Sequence, residues 1–126
     1  MIILQKFIYR EDLENNRYIT YVFGDNDQRI GKGGQAKEMR GESNSIGIRV
    51  KKAPGVERSC YYYDKEYNEN IKKIDQDFTI VEKKLESGEL VIFPSDGIGT
   101  GLAKLGTLAP RTLRYLESVI DRLKKI

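Results

Sequence analysis

Two stretches of this sequence decide how the chain folds. One is Leu90-Val91-Ile92-Phe93-Pro94-Ser95-Asp96-Gly97-Ile98-Gly99-Thr100-Gly101; the other is Tyr18-Ile19-Thr20-Tyr21-Val22-Phe23, running on through Gly24 to Gly31-Lys32-Gly33-Gly34. A continuous apolar run closed by proline, as in Leu90 to Pro94, is the pattern of a strand buried on both faces of a sheet. The Tyr18 run is a strand by its β-branched and aromatic composition. Each gives way to a glycine-rich loop and then to a segment that reads as helix, the earlier one short, from Gln35 to Arg40.

The flanking sequence supplies the remaining elements. Ile2 to Tyr9 is an apolar, β-branched start that reads as a strand, Ile46-Gly47-Ile48-Arg49-Val50 alternates as a strand does, and Tyr61-Tyr62-Tyr63 is a further short candidate. Ile71, Ile74, Phe78, Val81 and Leu85 recur at spacings of three and four, with Gly88 placed as a C-cap, and predict an amphipathic helix. Leu116, Val119, Ile120 and Leu123 repeat the pattern in a last helix. Thr107 is placed to cap that helix, and Pro110 falls in its first turn, where a missing N–H costs nothing. Strands alternating with helices in this order predict an α/β domain in which helices cover a mixed sheet.

Composition narrows the chemistry. With 126 residues, 39% hydrophobic and 33% charged, and no repeat or linker, residues 1–126 read as one domain with one core. The absence of histidine excludes a Ser-His-Asp or Cys-His arrangement within the chain and removes the commonest nitrogen ligand of zinc. Cys60 stands alone, so no internal disulfide forms, in keeping with a reducing, cytoplasmic setting. An excess of 22 Lys plus Arg over 19 Asp plus Glu is too small to argue for nucleic acid but suits a small anionic ligand. No apolar run approaches the roughly 20 residues of a membrane span, and the opening MIILQKFIY is too short and wrongly flanked for a signal peptide. No membrane partner, metal or cofactor is expected.

Half of the twelve glycines fall in two clusters, Gly31, Gly33 and Gly34, then Gly97, Gly99 and Gly101. In open α/β sheets, ligands bind beyond the carboxyl ends of strands, where loop amides and helix starts converge on a crevice. Glycine allows positive φ and lets the backbone approach an anion with no Cβ in the way. Either cluster alone reads more readily as a tight turn than as a site, and neither is a GxxxxGK[ST] or GxGxxG fingerprint. Two such loops from separate strands suit a diphosphate.

The segment Val22-Phe23-Gly24-Asp25-Asn26-Asp27-Gln28-Arg29-Ile30-Gly31-Lys32-Gly33-Gly34-Gln35-Ala36 resembles the first ligand loop of macro domains, and Phe93-Pro94-Ser95-Asp96-Gly97-Ile98-Gly99-Thr100-Gly101-Leu102-Ala103-Lys104-Leu105 resembles their second, phosphate-binding loop. The nearest branch is the small hydrolases that remove ADP-ribose from acidic residues of proteins or from DNA bases. The chain is also similar to small phage-associated proteins with an FGDN and GKGGQA pattern. The resemblance implies a single three-layer, macro-like domain that binds ADP-ribose or a related adenine nucleotide, a cyclic ADP-ribose-type signal included, or an ADP-ribosylated macromolecule. It implies that Gly24, Asp25 and Asn26 lie near the distal ribose or the adenine. The backbone of Ile30, Gly31, Lys32, Gly33 and Gly34, with Gln35 beside it, would face ribose and pyrophosphate. That of Gly97, Ile98, Gly99, Thr100, Gly101 and Leu102 would wrap the diphosphate. In the related hydrolases a lysine attacks the anomeric carbon and an acid in the second loop assists it. Lys65 occupies a comparable place, whereas Gly101-Leu102-Ala103-Lys104 holds no carboxylate and leaves Asp96, just before the loop, as the substitute.

Read from the residues themselves, these positions keep two meanings. Lys65, flanked by Asp64 and Glu66, is a solvated surface lysine unless burial or a neighbouring cation lowers its pKa. Asp96 at the end of a buried strand is either a functional carboxylate or a cap for the following loop. Arg29 and Lys32 sit inside the first glycine loop and offer charge to a phosphate or carboxylate. One ring of Tyr61-Tyr62-Tyr63 is available for stacking on a base if the run is extended. Arg111 and Arg114 share one side of the last helix, as a phosphate clamp or as the contact surface of a protein-interaction module whose glycine loops are merely structural.

Overall fold

The computed structural model describes the whole chain, Met1 to Ile126. Its elements are β1 (Ile2–Gln5), α1 (Arg10–Asn15), β2 (Thr20–Asn26), α2 (Ala36–Met39), β3 (Ser45–Lys51), α3 (Tyr67–Glu86), β4 (Val91–Pro94), α4 (Leu105–Leu108) and α5 (Pro110–Leu123), with short 3-10 turns at Arg58–Cys60 and Asp64–Glu66. The strands form one sheet in the order β1-β4-β2-β3.

Alternation along the strands sorts the side chains into two cores. Val22, Ile48, Val50, Val91 and Phe93 face α3 and α5 on one side, where Ile74, Phe78, Val81, Leu116 and Val119 meet them. Tyr21, Phe23 and Ile92 point the other way and cover Leu13 of α1 and Met39 of α2. Helices on both faces make three layers. Phe93 stacks on Phe78 with ring centroids 6.3 Å apart, and burial of such a side chain contributes about 2–3 kcal/mol.

The sheet is parallel throughout rather than mixed. Each pair of successive strands is joined by a helical crossover, and such a connection returns the chain to the same end of the sheet. The sole antiparallel contact is an isolated bridge between Lys51 and Tyr61. Tyr61-Tyr62-Tyr63 is therefore not a strand; Tyr61 and Tyr62 are both buried, and the Tyr62 hydroxyl donates to Asp27. The first strand ends at Gln5 instead of Tyr9, because the Asp12 carboxylate accepts the Tyr9 N–H at 2.9 Å and starts α1.

Thr107 lies inside α4 and does not cap the last helix. That cap comes from a distant residue: the Asp64 carboxylate accepts the N–H groups of Arg111 and Thr112 at 2.8 and 3.0 Å and the Thr112 hydroxyl at 2.9 Å. Burial pushes the Asp64 pKa up, but these three hydrogen bonds outweigh it and hold the group below the ordinary aspartate value.

Candidate functional site

Because all four strands run the same way, the loops after β2, β3 and β4 leave from one end of the sheet. From β2 the chain crosses to β3 on one side, and β4 is inserted on the other, so a topological switch point lies between β2 and β4. Those two strands pair only at Thr20 with Val91 and Tyr21 with Ile92, at their amino ends. Beyond that pairing lies a crevice of about 580 Å³, lined from one side by Gly24 to Ala36 and from the other by Pro94 to Ala103. This volume falls in the range of small-molecule sites.

Side chains shape the first loop. The Asn26 carboxamide donates to the Ile30 carbonyl at 2.7 Å and accepts the Gln28 N–H at 3.0 Å, which closes the turn out of β2. Arg40, just past α2, donates from Nε to the Gly31 carbonyl at 2.7 Å and also reaches the Ile30 carbonyl. The same guanidinium pairs with buried Asp25, which Arg29 holds from the other side at 3.1 Å. Arg29 continues to Asp77 of α3 at 2.7 Å, and Arg49 binds that carboxylate too. Three guanidiniums against two carboxylates leave a net positive charge beneath the loop. With these carbonyls engaged, no backbone N–H from Ile30 to Gln35 donates to an acceptor in the protein.

Backbone and apolar packing hold the second loop. The Gly97 N–H donates to the Pro94 carbonyl at 3.0 Å, the Leu105 N–H to the Gly99 carbonyl at 2.9 Å, and the Thr100 hydroxyl to the Asp96 carbonyl at 2.7 Å. Ile98 turns into the core and is 2% exposed, while Gly99 adopts φ +82°, and a Cβ there would lie 2.5 Å from Leu105 Cδ1. No backbone N–H from Ile98 to Ala103 has a protein acceptor. Except for Lys32 and Ile98, the residues of both runs line one crevice. A Cβ on Gly33 would lie 2.8 Å from Cδ1 of the exposed Leu102, so the two loops approach each other there.

Of the residues singled out from the sequence, the structure brings Gly24, Asp25, Asn26, Ile30, Gly31 and Gly33 to the crevice from the first loop, together with Gly34 and Gln35. From the second it brings Asp96, Gly97, Gly99, Thr100, Gly101 and Leu102. Arg29, Lys32 and Ile98 do not line it. Arg29 is drawn under the sheet by Asp25 and Asp77, and Ile98 anchors the core. Asp25 and Asn26 are spent on internal contacts, so they shape the loop rather than offering free groups. Lys65 is not brought there either: it is exposed and lines a separate hollow with Lys52, Arg58 and Tyr63. Arg111 stacks on Tyr67 with 4.2 Å to the ring centroid, and neither it nor Arg114 reaches the crevice. The buried Tyr61 and Tyr62 do not line it.

Sequence reasoning missed a third wall. Lys51, the last residue of β3, and Pro54 and Gly55, which follow it, line the crevice together with Arg40. The Lys51 ammonium donates to the Gly55 carbonyl and sits 4.8 Å above the Tyr61 ring. Pro54 fills the space beside Gly31, whose φ is +96°. Nothing local in the sequence marks Lys51 or Arg40 for this position.

The helix starts contribute less than the sequence implies. The segments that follow the loops, α2 and α4, are each four residues long, so open loop amides, not helix dipoles, carry the positive character. No group of three or more His, Cys, Asp or Glu side chains is disposed to hold a metal ion, and no helix is long and apolar enough to cross a membrane. Chemically, the crevice offers N–H donors, the cations Arg40 and Lys51 at its walls, and an exposed carboxylate, Asp96, that is paired with no other protein group.

Neither the curated proteins nor the solved structures include a match to this chain. A family model described as "Family of unknown function (DUF7831)" matches residues 3–119, which spans both glycine loops and every strand bordering the crevice, and the chain belongs to that family.

Proposed function

We propose that the chain binds an adenine nucleotide of the ADP-ribose type, with its diphosphate held between the two glycine loops. The observation that carries this reading is the pair of open amide runs, Ile30 to Gln35 and Ile98 to Ala103, whose residues other than Lys32 and Ile98 line one crevice. Loop amides without acceptors stabilise an anion by direct hydrogen bonds, and two such runs match the two phosphates of a diphosphate. Arg40 and Lys51 add positive charge at its walls. Isothermal titration with ADP-ribose tests the reading: saturable heat at one site per chain is expected, and no heat with ADP-ribose, cyclic ADP-ribose or ADP rejects it.

A second reading has Asp96 as its support. An unpaired carboxylate beside a bound nucleotide would serve as a general base for water attack on a glycosidic carbon, which is the chemistry of an ADP-ribosyl glycohydrolase. Lys65, in its separate hollow, has no part in this version. Incubation with ADP-ribosylated protein or DNA distinguishes the two: release of ADP-ribose that is lost in Asp96→Asn supports hydrolysis, and retention of the label supports binding alone.

A further inference from the structure

The open groups of the crevice are of two kinds. The amide runs are donors. Set among them is an acceptor, the Gln35 Oε1 atom, the only buried side-chain nitrogen or oxygen without a hydrogen-bond partner. Gln35 lines the crevice directly after Gly33 and Gly34, where Leu102 of the second loop closes over the first. A buried oxygen without a donor carries its full desolvation cost, so its presence points to a donor that arrives with the ligand. Asp96, from the opposite loop, is a second acceptor at the crevice, exposed to solvent and free of protein partners. A bare polyphosphate satisfies the amides and leaves both acceptors facing more negative charge. A sugar hydroxyl donates to either.

We propose that Gln35 is a specificity-determining residue that accepts a hydrogen bond from a sugar hydroxyl adjacent to the diphosphate, with Asp96 as the second acceptor, so that the site selects nucleotide sugars over simple diphosphates. This rests on the reading of the crevice as a diphosphate site. It also moves sugar recognition away from Asp25 and Asn26, whose polar atoms are engaged by Arg40, Arg29 and the Ile30 carbonyl.

The test is a set of titrations of the wild-type protein and of Gln35→Met and Gln35→Glu. The probes are ADP-ribose, the β-methyl ester of ADP, which keeps the diphosphate charge but lacks the distal sugar, and an ADP-ribose built on 2′,3′-dideoxyadenosine. The wild type is expected to prefer ADP-ribose by about tenfold over at least one truncated probe, the scale of one satisfied buried hydrogen bond. Gln35→Met is near-isosteric and lacks the acceptor, so that ratio should collapse toward one. Gln35→Glu keeps an acceptor and should retain the ratio while weakening all three probes through its charge. Thermal melts confirm that each variant is folded. Equal affinity of the wild type for all three probes, or an undiminished ratio in Gln35→Met, overturns the proposal and leaves the diphosphate reading standing. Absence of binding by the wild type to every probe overturns both.

Discussion

The two glycine loops present the same chemistry and are held by opposite means. The first is tied by polar side chains: Asn26 closes its turn, and Arg40 grips the carbonyls of Ile30 and Gly31 while paired with Asp25. The second is tied by its own backbone and by burial of Ile98 against the core, with Gly99 fitted closely to Leu105. A charged network is sensitive to loss of one member, because the remaining charges are left unpaired. A close-packed loop is sensitive to volume instead. Damage to either loop should therefore look different in stability and in binding.

The largest expected effect breaks the packed loop. Gly99→Val puts a branched side chain at φ +82°, with its Cβ only 2.5 Å from Leu105 Cδ1, and should cost about 3 kcal/mol or more through combined strain and overpacking. Urea denaturation measures this, and a loss below about 1 kcal/mol would show that the second loop yields easily. Next, Asp77→Ala removes the carboxylate shared by Arg29 and Arg49 and should destabilise by about 3 kcal/mol. Arg40→Met, at the crevice itself, should cost about 2 kcal/mol because Asp25 keeps only Arg29. It should also weaken ADP-ribose binding at least tenfold by freeing the Ile30 and Gly31 carbonyls.

The smallest effect lies outside the comparison and calibrates it. Asp64→Ala removes the cap of α5 and should cost about 1 kcal/mol with ADP-ribose affinity unchanged. Since the folded-state pKa of Asp64 is lowered, its contribution is complete above about pH 4 and is lost as the pH falls through that folded value. The stability difference between wild type and Asp64→Ala should accordingly shrink below about pH 4, and a difference that stays constant to lower pH would assign the cap to another group.

What the sequence revealed follows from where its signals are local. The helices from Tyr67 and Pro110, the strands at Thr20, Ser45 and Val91, and both glycine clusters show in periodicity or composition, because one face of each is buried. Helix α1 was invisible: it is six residues long and buries only Leu13, so it has no period to read. The parallel sheet, the cap from Asp64, the Arg40 anchor and the Lys51 to Gly55 wall are tertiary facts that no window of sequence contains. The pairing of Asp25 with Arg29 and Arg40 is tertiary in the same way.

The central claim is that open backbone amides of both loops hold the diphosphate, and amide-resolved NMR reads those groups directly. On titration of the labelled protein with ADP-ribose, the N–H resonances of Ile30 to Gln35 and Ile98 to Ala103 should shift together along one saturation curve, with Gln35 among them. The amides of Tyr67 to Glu86 on α3 should stay in place. Shifts confined to one loop, or centred instead on the hollow at Lys52, Arg58 and Lys65, would contradict the account.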